Sequence, residues 1–268
     1  MRRRHETPEP FARPLRVKRC RSSIPAGITA EGVRVLEITI DESLVQAILA
    51  DEMRQAGAEI DRQGPVAAYE LSRRRHDARL SAAPDAHTLA CKNGCFWCCY
   101  FTVDVRAVEV FGILDFMARE LSPDEQARVW REVEANNALL QGLSEMERMK
   151  RNVKCPFLAA GRCTIYEARP QTCRNYHATD ATGCRISYEQ PENTEIDPEF
   201  APLVYQTGGA HVDAFCSSLQ LRGYDITAYE LSAALAAAIA DPDARARFES
   251  KQKPFSTLTG NEVPAEFF

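Results

Sequence analysis

Ten cysteines in a chain of 268 residues are the side chains best suited to chemistry. Thiolate is a soft ligand that selects zinc, copper(I) or iron–sulfur clusters. Gly94 lies inside the first group of cysteines and gives the backbone the freedom to wrap around an ion. This segment predicts a metal site formed by four thiols within nine residues: Cys91, Cys95, Cys98 and Cys99.

A second group of cysteines lies farther along the chain. It contains Cys155, Cys163 and Cys173, and Cys184 joins it on the basis of spacing, in what we expect to be an exposed turn beside Gly183. Short β-like runs on either side of Gly161 predict a small hairpin that brings Cys155 and Cys163 together, as in a zinc ribbon.

The eight clustered thiols leave the number and kind of metal open. Cys98 and Cys99 are adjacent, and neighbouring side chains in an extended segment point to opposite sides, so the two can serve separate centres. Eight thiolates suit two four-coordinate zinc ions or one iron–sulfur cluster with thiols to spare. Two structural alternatives stay open. The thiols bind nothing, or zinc serves only to stabilise the fold of residues 152–190.

The last two cysteines fit other roles. Cys216 lies on an apolar helical stripe, where a buried, inert thiol is expected. Cys20 lies in a basic N-terminal arm and is expected to be unpaired. We expect neither of them to contribute to metal content.

The cysteine pattern resembles the CxxCxxCC (YkgJ-like) family of zinc- or iron-chelating domains. The resemblance covers roughly residues 91–184, and its most specific part runs from Cys155-Pro-Phe-Leu to Arg169-Pro170-x2-Cys173-Arg174. One departure is the first spacing, where three residues rather than two follow Cys91. The resemblance implies as metal ligands Cys91, Cys95, Cys98, Cys99, Cys155, Cys163 and Cys173, to which spacing adds Cys184 and, more weakly, His177.

An enzymatic alternative remains open on two grounds. Some relatives in this family resemble iron–sulfur-dependent flagellin lysine methylases. Separately, Cys91-x3-Cys95-x-Trp97-Cys98 is similar to the three-cysteine loop of radical S-adenosylmethionine enzymes. That second hypothesis ranks lower, because those enzymes need an alternating β/α barrel, and here the residues after the loop predict helices and turns.

Other chemistry in the sequence is sparse. The five histidines lack HExxH spacing, and there is no P-loop, dinucleotide-binding glycine motif or serine nucleophile elbow. Arg169 and Arg174 flank Cys173, where each can neutralise thiolate charge or form an ordinary salt bridge. Glu109 can support the site or be a surface carboxylate, and the Arg73-Arg74-Arg75 run is expected on a solvated face.

The surrounding sequence predicts a mainly α-helical protein, with helices around an irregular cysteine-rich centre that contains a short β-hairpin. Apolar periodicity predicts helices over 41–63, 66–79, 104–119, around 212–222 and over 227–240. Capping signals predict Asp104 as the N-cap of the third helix, a helix that starts at Ser122, and a capping box at Thr227 that opens the last one. A short helix follows Asp241-Pro242, while 80–90 and 191–208 are expected to be connections.

Length and charge limit the remaining possibilities. The net charge of −5 disfavours nucleic-acid binding as the main activity, and the longest apolar run is too short for a membrane span. We predict a basic arm and lead-in at 1–40, a helical region at 41–90, a metal-binding domain at 91–190 and a C-terminal helical region at 191–268. The sequence thus predicts a cytoplasmic protein that chelates zinc or iron, the iron as an ion or an iron–sulfur cluster, without a membrane partner and with any protein partner unknown.

Overall fold

The computed structural model describes residues 41–194, 196 and 198–260. The predicted basic arm and Cys20 lie outside the described residues. Within them the protein is mainly helical, as predicted. Its α-helices are α1 (Glu42–Gln63), α2 (Pro65–Ala82), α3 (Ala107–Glu120), α4 (Pro123–Leu140), α5 (Glu145–Met149), α6 (Gln171–Asn175), α7 (Ala181–Glu189), α8 (Pro202–Leu221), α9 (Leu231–Ala240) and α10 (Ala244–Glu249).

Long helices form the frame on which the cysteine-rich segments rest. Helices α1, α2 and α8 pack against one another, α3 lies against α2 and α9, and α4 lies against α9. The core joins these layers through fully buried rings and aliphatic side chains, among them Tyr69, Phe111, Phe215, Leu219 and Tyr229. The predicted stripe on α8 is confirmed: Val212, Phe215, Cys216 and Leu219 are all buried.

Two short antiparallel sheets complete the described part of the chain. Strand β1 (Asp104–Arg106) pairs with β4 (Ala228–Glu230), and Val105 lies opposite Tyr229. Strand β2 (Leu158–Ala159) pairs with β3 (Arg162–Cys163), which confirms the predicted hairpin. Its turn places Ala160 and Gly161 at positive φ, 48° and 73°, a conformation typical of two-residue hairpin loops.

Several local predictions are wrong where distant contacts decide the structure. Asp104 is not an N-cap, because it belongs to β1, and Arg106 precedes the first turn of α3. Thr227 does not open α9, because β4 intervenes and Glu230 caps the helix by accepting from the Ala233 N–H at 2.7 Å. Helix α2 ends at Ala82, within a few residues of the predicted end, whereas α8 begins at Pro202, within the stretch predicted as a connection.

The arginine run on α2 is not the solvated face that the sequence predicts. Arg73 is buried and donates to the Glu167 carbonyl at 2.8 Å, and Arg75 pairs with Glu52 at 2.8 Å. Only Arg74 of the three is mainly exposed. None of the described helices combines the length and apolar character needed to cross a bilayer.

Candidate metal centre

The first cysteine segment is a tight loop followed by a single 3₁₀ turn. The Cys95 N–H donates to the Lys92 carbonyl at 2.9 Å, and Gly94 adopts a φ of +97°, which L-residues rarely adopt. The turn Trp97–Tyr100 then carries Cys98 and Cys99. The role predicted for Gly94, giving the loop its freedom to turn, is therefore confirmed.

Cys98 and Cys99 do not point to opposite sides. The prediction assumed an extended segment, but both residues lie in a 3₁₀ turn, where neighbouring side chains are about a third of a turn apart. A hydrogen bond with the Cys99 side chain and then burial raise the pKa of Cys98 well above its usual value. The turn thus removes the geometric reason for assigning the two thiols to separate centres.

The second cysteine segment is fastened to the first through the backbone. The Cys155 N–H donates to the Cys99 carbonyl at 2.7 Å, and the Val153 N–H donates to the Tyr100 carbonyl at 3.1 Å. The hairpin places Cys163 opposite Leu158, and helix α6 carries Cys173. Burial raises the pKa of the thiols of Cys155, Cys163 and Cys173.

A third segment brings Cys184 to the same place. The sequence predicts an exposed turn, but Cys184 lies within α7 and is 4% exposed. Helix α7 packs against the 3₁₀ turn, where the Tyr188 ring contacts the rings of Trp97 and Tyr100 at centroid distances of 5.3 and 4.9 Å. Burial, followed by repulsion from the first-segment thiolates, raises the pKa of Cys184 to about 12.

Cys98 contributes to the pKa shifts of most of the other clustered thiols. Cys98 acts electrostatically on thiols of all three segments: Cys91, Cys155, Cys163, Cys173 and Cys184. Cys184 also interacts with Cys91 and Cys95, and Cys155 with Cys163 and Cys173. Backbone hydrogen bonds between the first two cysteine segments, and the packing of α7 on the 3₁₀ turn, bring the three segments together. Their side chains do not form a coordination sphere, since in the described part of the chain no three His, Cys, Asp or Glu groups are arranged to hold one ion.

His177 lies apart from these charge interactions. Its Nδ1 lies 2.8 Å from the Asn175 carbonyl and its Nε2 lies 3.4 Å from the Ala201 carbonyl. The ring is buried, and burial lowers its pKa. Both nitrogens face backbone carbonyls, so the geometry favours a structural role for His177.

The two arginines beside Cys173 differ in their surroundings. Arg174 is buried, pairs with Asp77 and donates to backbone carbonyls of the preceding turn. Arg169 lies over the Tyr166 ring, 4.0 Å from its centroid, and forms a longer ion pair with Asp77 at 3.9 Å. Its charge favours the thiolate forms of Cys91, Cys98, Cys163 and Cys173.

Glu109 is fully buried rather than a surface carboxylate. Its Oε1 accepts from the Gln171 N–H at 2.8 Å and from the Tyr69 hydroxyl at 3.3 Å, and its Oε2 accepts from the Arg106 N–H at 2.8 Å. The carboxylate thereby fixes the first turn of α6, two residues before Cys173. The sequence-based alternative that Glu109 supports the site agrees with these contacts, although its hydrogen-bond partners were not predicted. The Tyr188 contact was not predicted either, and its only signal was the aromatic pair Trp97 and Tyr100.

Comparison with known proteins adds one finding. Residues 90–199 match the family model CxxCxxCC, described as "Putative zinc- or iron-chelating domain". The match confirms the resemblance, and its range includes all eight clustered cysteines. No curated protein and no solved structure matches the chain.

Proposed function

We propose that this protein binds zinc or iron through thiolates of its clustered cysteines. The observation that carries the proposal is the meeting of three cysteine-bearing segments: the Cys155 N–H donates to the Cys99 carbonyl at 2.7 Å, and helix α7, which carries Cys184, packs on the 3₁₀ turn of Cys98 and Cys99. The proposed ligands are drawn from Cys91, Cys95, Cys98, Cys99, Cys155, Cys163, Cys173 and Cys184.

The donor set fits a soft metal cation. Several of the thiols are buried with raised pKa values, so forming thiolates there without a nearby cation is costly. A bound metal ion supplies that positive charge and deprotonates the thiols that it coordinates. Because no three of the described ligating groups surround one point, binding of one ion by several of these thiols requires their side chains to rotate between staggered positions.

The number of thiols that bind the metal distinguishes a structural or metal-carrying role from a catalytic one. A zinc ion with four thiolates has no open position, which suits a structural or metal-carrying role. The second candidate function is an iron–sulfur-dependent enzyme, favoured by a gathered set of thiols that exceeds the four a single zinc needs. The radical S-adenosylmethionine type has less support, since the described strands form only two two-stranded sheets.

Elemental analysis with a visible spectrum tests the proposal directly. Protein purified without oxygen or added metal should contain zinc or iron in stoichiometric amounts. About two zinc ions per chain without a visible band would favour the structural or carrying role. Iron with sulfide and a brown colour would favour the enzyme, and the absence of any metal would refute the proposal.

A pair of cysteine variants assigns the site. Cys98→Ser should lose most of the metal, because Cys98 lies in the 3₁₀ turn on which α7 packs and whose Cys99 carbonyl accepts from the Cys155 N–H. Cys216→Ser is the matched control, since Cys216 is also buried but lies in the apolar side of α8. Full metal retention in Cys98→Ser, or equal loss in both variants, would contradict the ligand assignment.

We also propose a cytoplasmic location. Clustered free thiols persist where the compartment is reducing, whereas an oxidising compartment converts close thiols to disulfides. None of the nine cysteines among the described residues is in a disulfide.

A further inference from the structure

A cleft of about 180 Å³ opens beside the clustered thiols. Cys98 and Cys173, from two different segments of the centre, form part of its wall. The cleft continues between α5, α7 and the chain that follows α7, where Met149, Ser187 and Ile196 line it. A molecule bound there would lie directly against sulfur atoms that we assign to the metal.

The described lining of the cleft is mainly apolar. Most of the surface is apolar and comes from side chains such as Phe101, Val103, Tyr176 and Pro191. Among the described residues that line the cleft, none is Asp, Glu, Lys, Arg or His. An anion entering this mainly apolar cleft would lose its hydration and would face the thiolates proposed at Cys98 and Cys173, so the lining favours an uncharged occupant over an anion.

The polar groups of the lining offer hydrogen-bond acceptors. The Thr172 hydroxyl donates to the Asp104 carbonyl at 2.9 Å, which leaves its oxygen free to accept. The Asn152 amide nitrogen donates to the Tyr188 carbonyl at 2.6 Å, so its Oδ1 remains as an acceptor. Both groups suit an occupant that carries a hydroxyl or another N–H or O–H donor.

We propose that this cleft binds a small, uncharged alcohol or phenol beside the thiol cluster. The size is adequate, because a buried apolar cavity of about 150 Å³ accommodates benzene. The inference deepens the proposed function, because it places a ligand-binding cleft next to the metal centre. It rests on that function only in taking the neighbouring thiols as metal ligands.

Fluorine NMR of the protein as purified tests the cleft with three probes of similar size. We expect para-fluorophenol to bind, and para-fluoroanisole, which lacks the donor, to bind about fivefold more weakly. We expect para-fluorobenzoate, which carries a charge, to bind at least about tenfold more weakly. Equal binding of the three probes, or preference for the benzoate, would overturn the proposal.

A matched pair of variants on α7 locates the probe. Ser187→Trp places a bulky ring in the cleft and should abolish binding of para-fluorophenol. Thr182→Trp makes a similar change at an exposed position of the same helix outside the cleft, and binding should persist. Unchanged binding in Ser187→Trp would refute the location.

Metal content measured on the same samples separates the two proposals. Wild-type protein that contains metal but does not bind para-fluorophenol overturns the cleft and leaves the proposed function intact. Protein that binds the phenol but contains no metal refutes the proposed function and leaves the cleft. Ser187→Trp should retain its metal, because Ser187 is not among the ligands, and this retention shows that the variant is folded around its centre.

Discussion

At the scale of single residues, the two arginines beside Cys173 show how identical side chains acquire different roles. Arg174 is only 3% exposed and is held by Asp77 and by the carbonyls of Glu167 and Arg169, so it fastens the turn that precedes α6. Arg169 stacks on Tyr166 and directs its charge toward four thiols. A cluster of thiolates accumulates negative charge, which Arg169 is placed to offset.

Removing that charge should weaken metal binding without unfolding the protein. We expect Arg169→Gln to lower metal affinity about tenfold, the lower end of the range for residues that support metal ligands, and Arg169→Lys to recover part of the loss. Competition with a chromogenic chelator measures the affinity. Arg185→Gln is the control, since Arg185 is exposed on α7 and pairs with Glu189. An unchanged affinity in Arg169→Gln would limit Arg169 to its packing on Tyr166 and its ion pair with Asp77.

Glu109 should contribute to stability through the donors that it satisfies. In Glu109→Gln the neutral amide keeps one acceptor oxygen, while its NH₂ group faces backbone donors, so a buried N–H loses its partner. We expect a loss of about 1–3 kcal/mol in the free energy of unfolding, measured by urea denaturation. Glu120→Gln, at an exposed carboxylate paired with Arg119, should change stability by less than about 0.5 kcal/mol.

At the scale of elements, the β2–β3 hairpin determines where Cys163 lies relative to Cys155. Its turn requires positive φ at Gly161, which glycine adopts without strain, and Ala160 before it also has positive φ. A new Cβ at Gly161 would meet only ordinary contact with Phe96, at 3.9 Å, so any cost comes from the backbone.

Reciprocal substitutions in this turn should therefore have opposite effects. We expect Gly161→Ala to destabilise the protein by about 1 kcal/mol and Ala160→Gly to be neutral or slightly stabilising. Thermal unfolding of the metal-bound protein measures both. If Gly161→Ala and Ala160→Gly shift the melting temperature in the same direction, the turn conformation does not account for the effect.

The same scale shows which features local sequence encodes. Capping signals such as Ser122 with Glu125 are satisfied within one turn, and there the prediction of a helix start is confirmed. Asp104 and Thr227 carry similar signals, but strand pairing between segments more than a hundred residues apart overrides them. The cysteine positions indicate a thiol cluster, whereas the proximity of Cys98 to Cys99 and the helix that carries Cys184 depend on packing that the sequence does not reveal.

At the scale of the whole molecule, the cysteine-rich segments rest on a helical bundle whose interior contains charged and polar groups. The rings of His76 on α2 and His211 on α8 stack with centroids 4.5 Å apart, and both are fully buried. Glu52 of α1 lies 3.6 Å from the His211 ring and accepts ion pairs from Arg75 and Arg79. Arg174 from α6 adds positive charge near both rings.

This arrangement makes the bundle sensitive to acid. Burial, and then the charge of neighbouring groups, lowers the pKa of both histidines well below the usual 6.5. As the pH falls, these histidines are protonated in the unfolded chain before they are protonated in the folded protein. The free energy of unfolding is therefore highest above the histidine pKa of the unfolded chain and decreases below it. Each histidine should cost about 1.4 kcal/mol per pH unit below that point, until the folded protein is itself protonated.

Urea denaturation at a series of pH values between neutral and mildly acidic conditions measures this loss. Metal release at low pH also destabilises the protein, so the informative quantity is the difference in slope between wild type and His76→Phe. The phenyl ring preserves the stack on His211 but cannot bind a proton, so the variant should lose stability less steeply. His87→Phe, at an exposed histidine, is the control and should leave the slope unchanged. Parallel slopes for wild type and His76→Phe would show that the acid sensitivity arises elsewhere, with the thiol cluster as the first alternative.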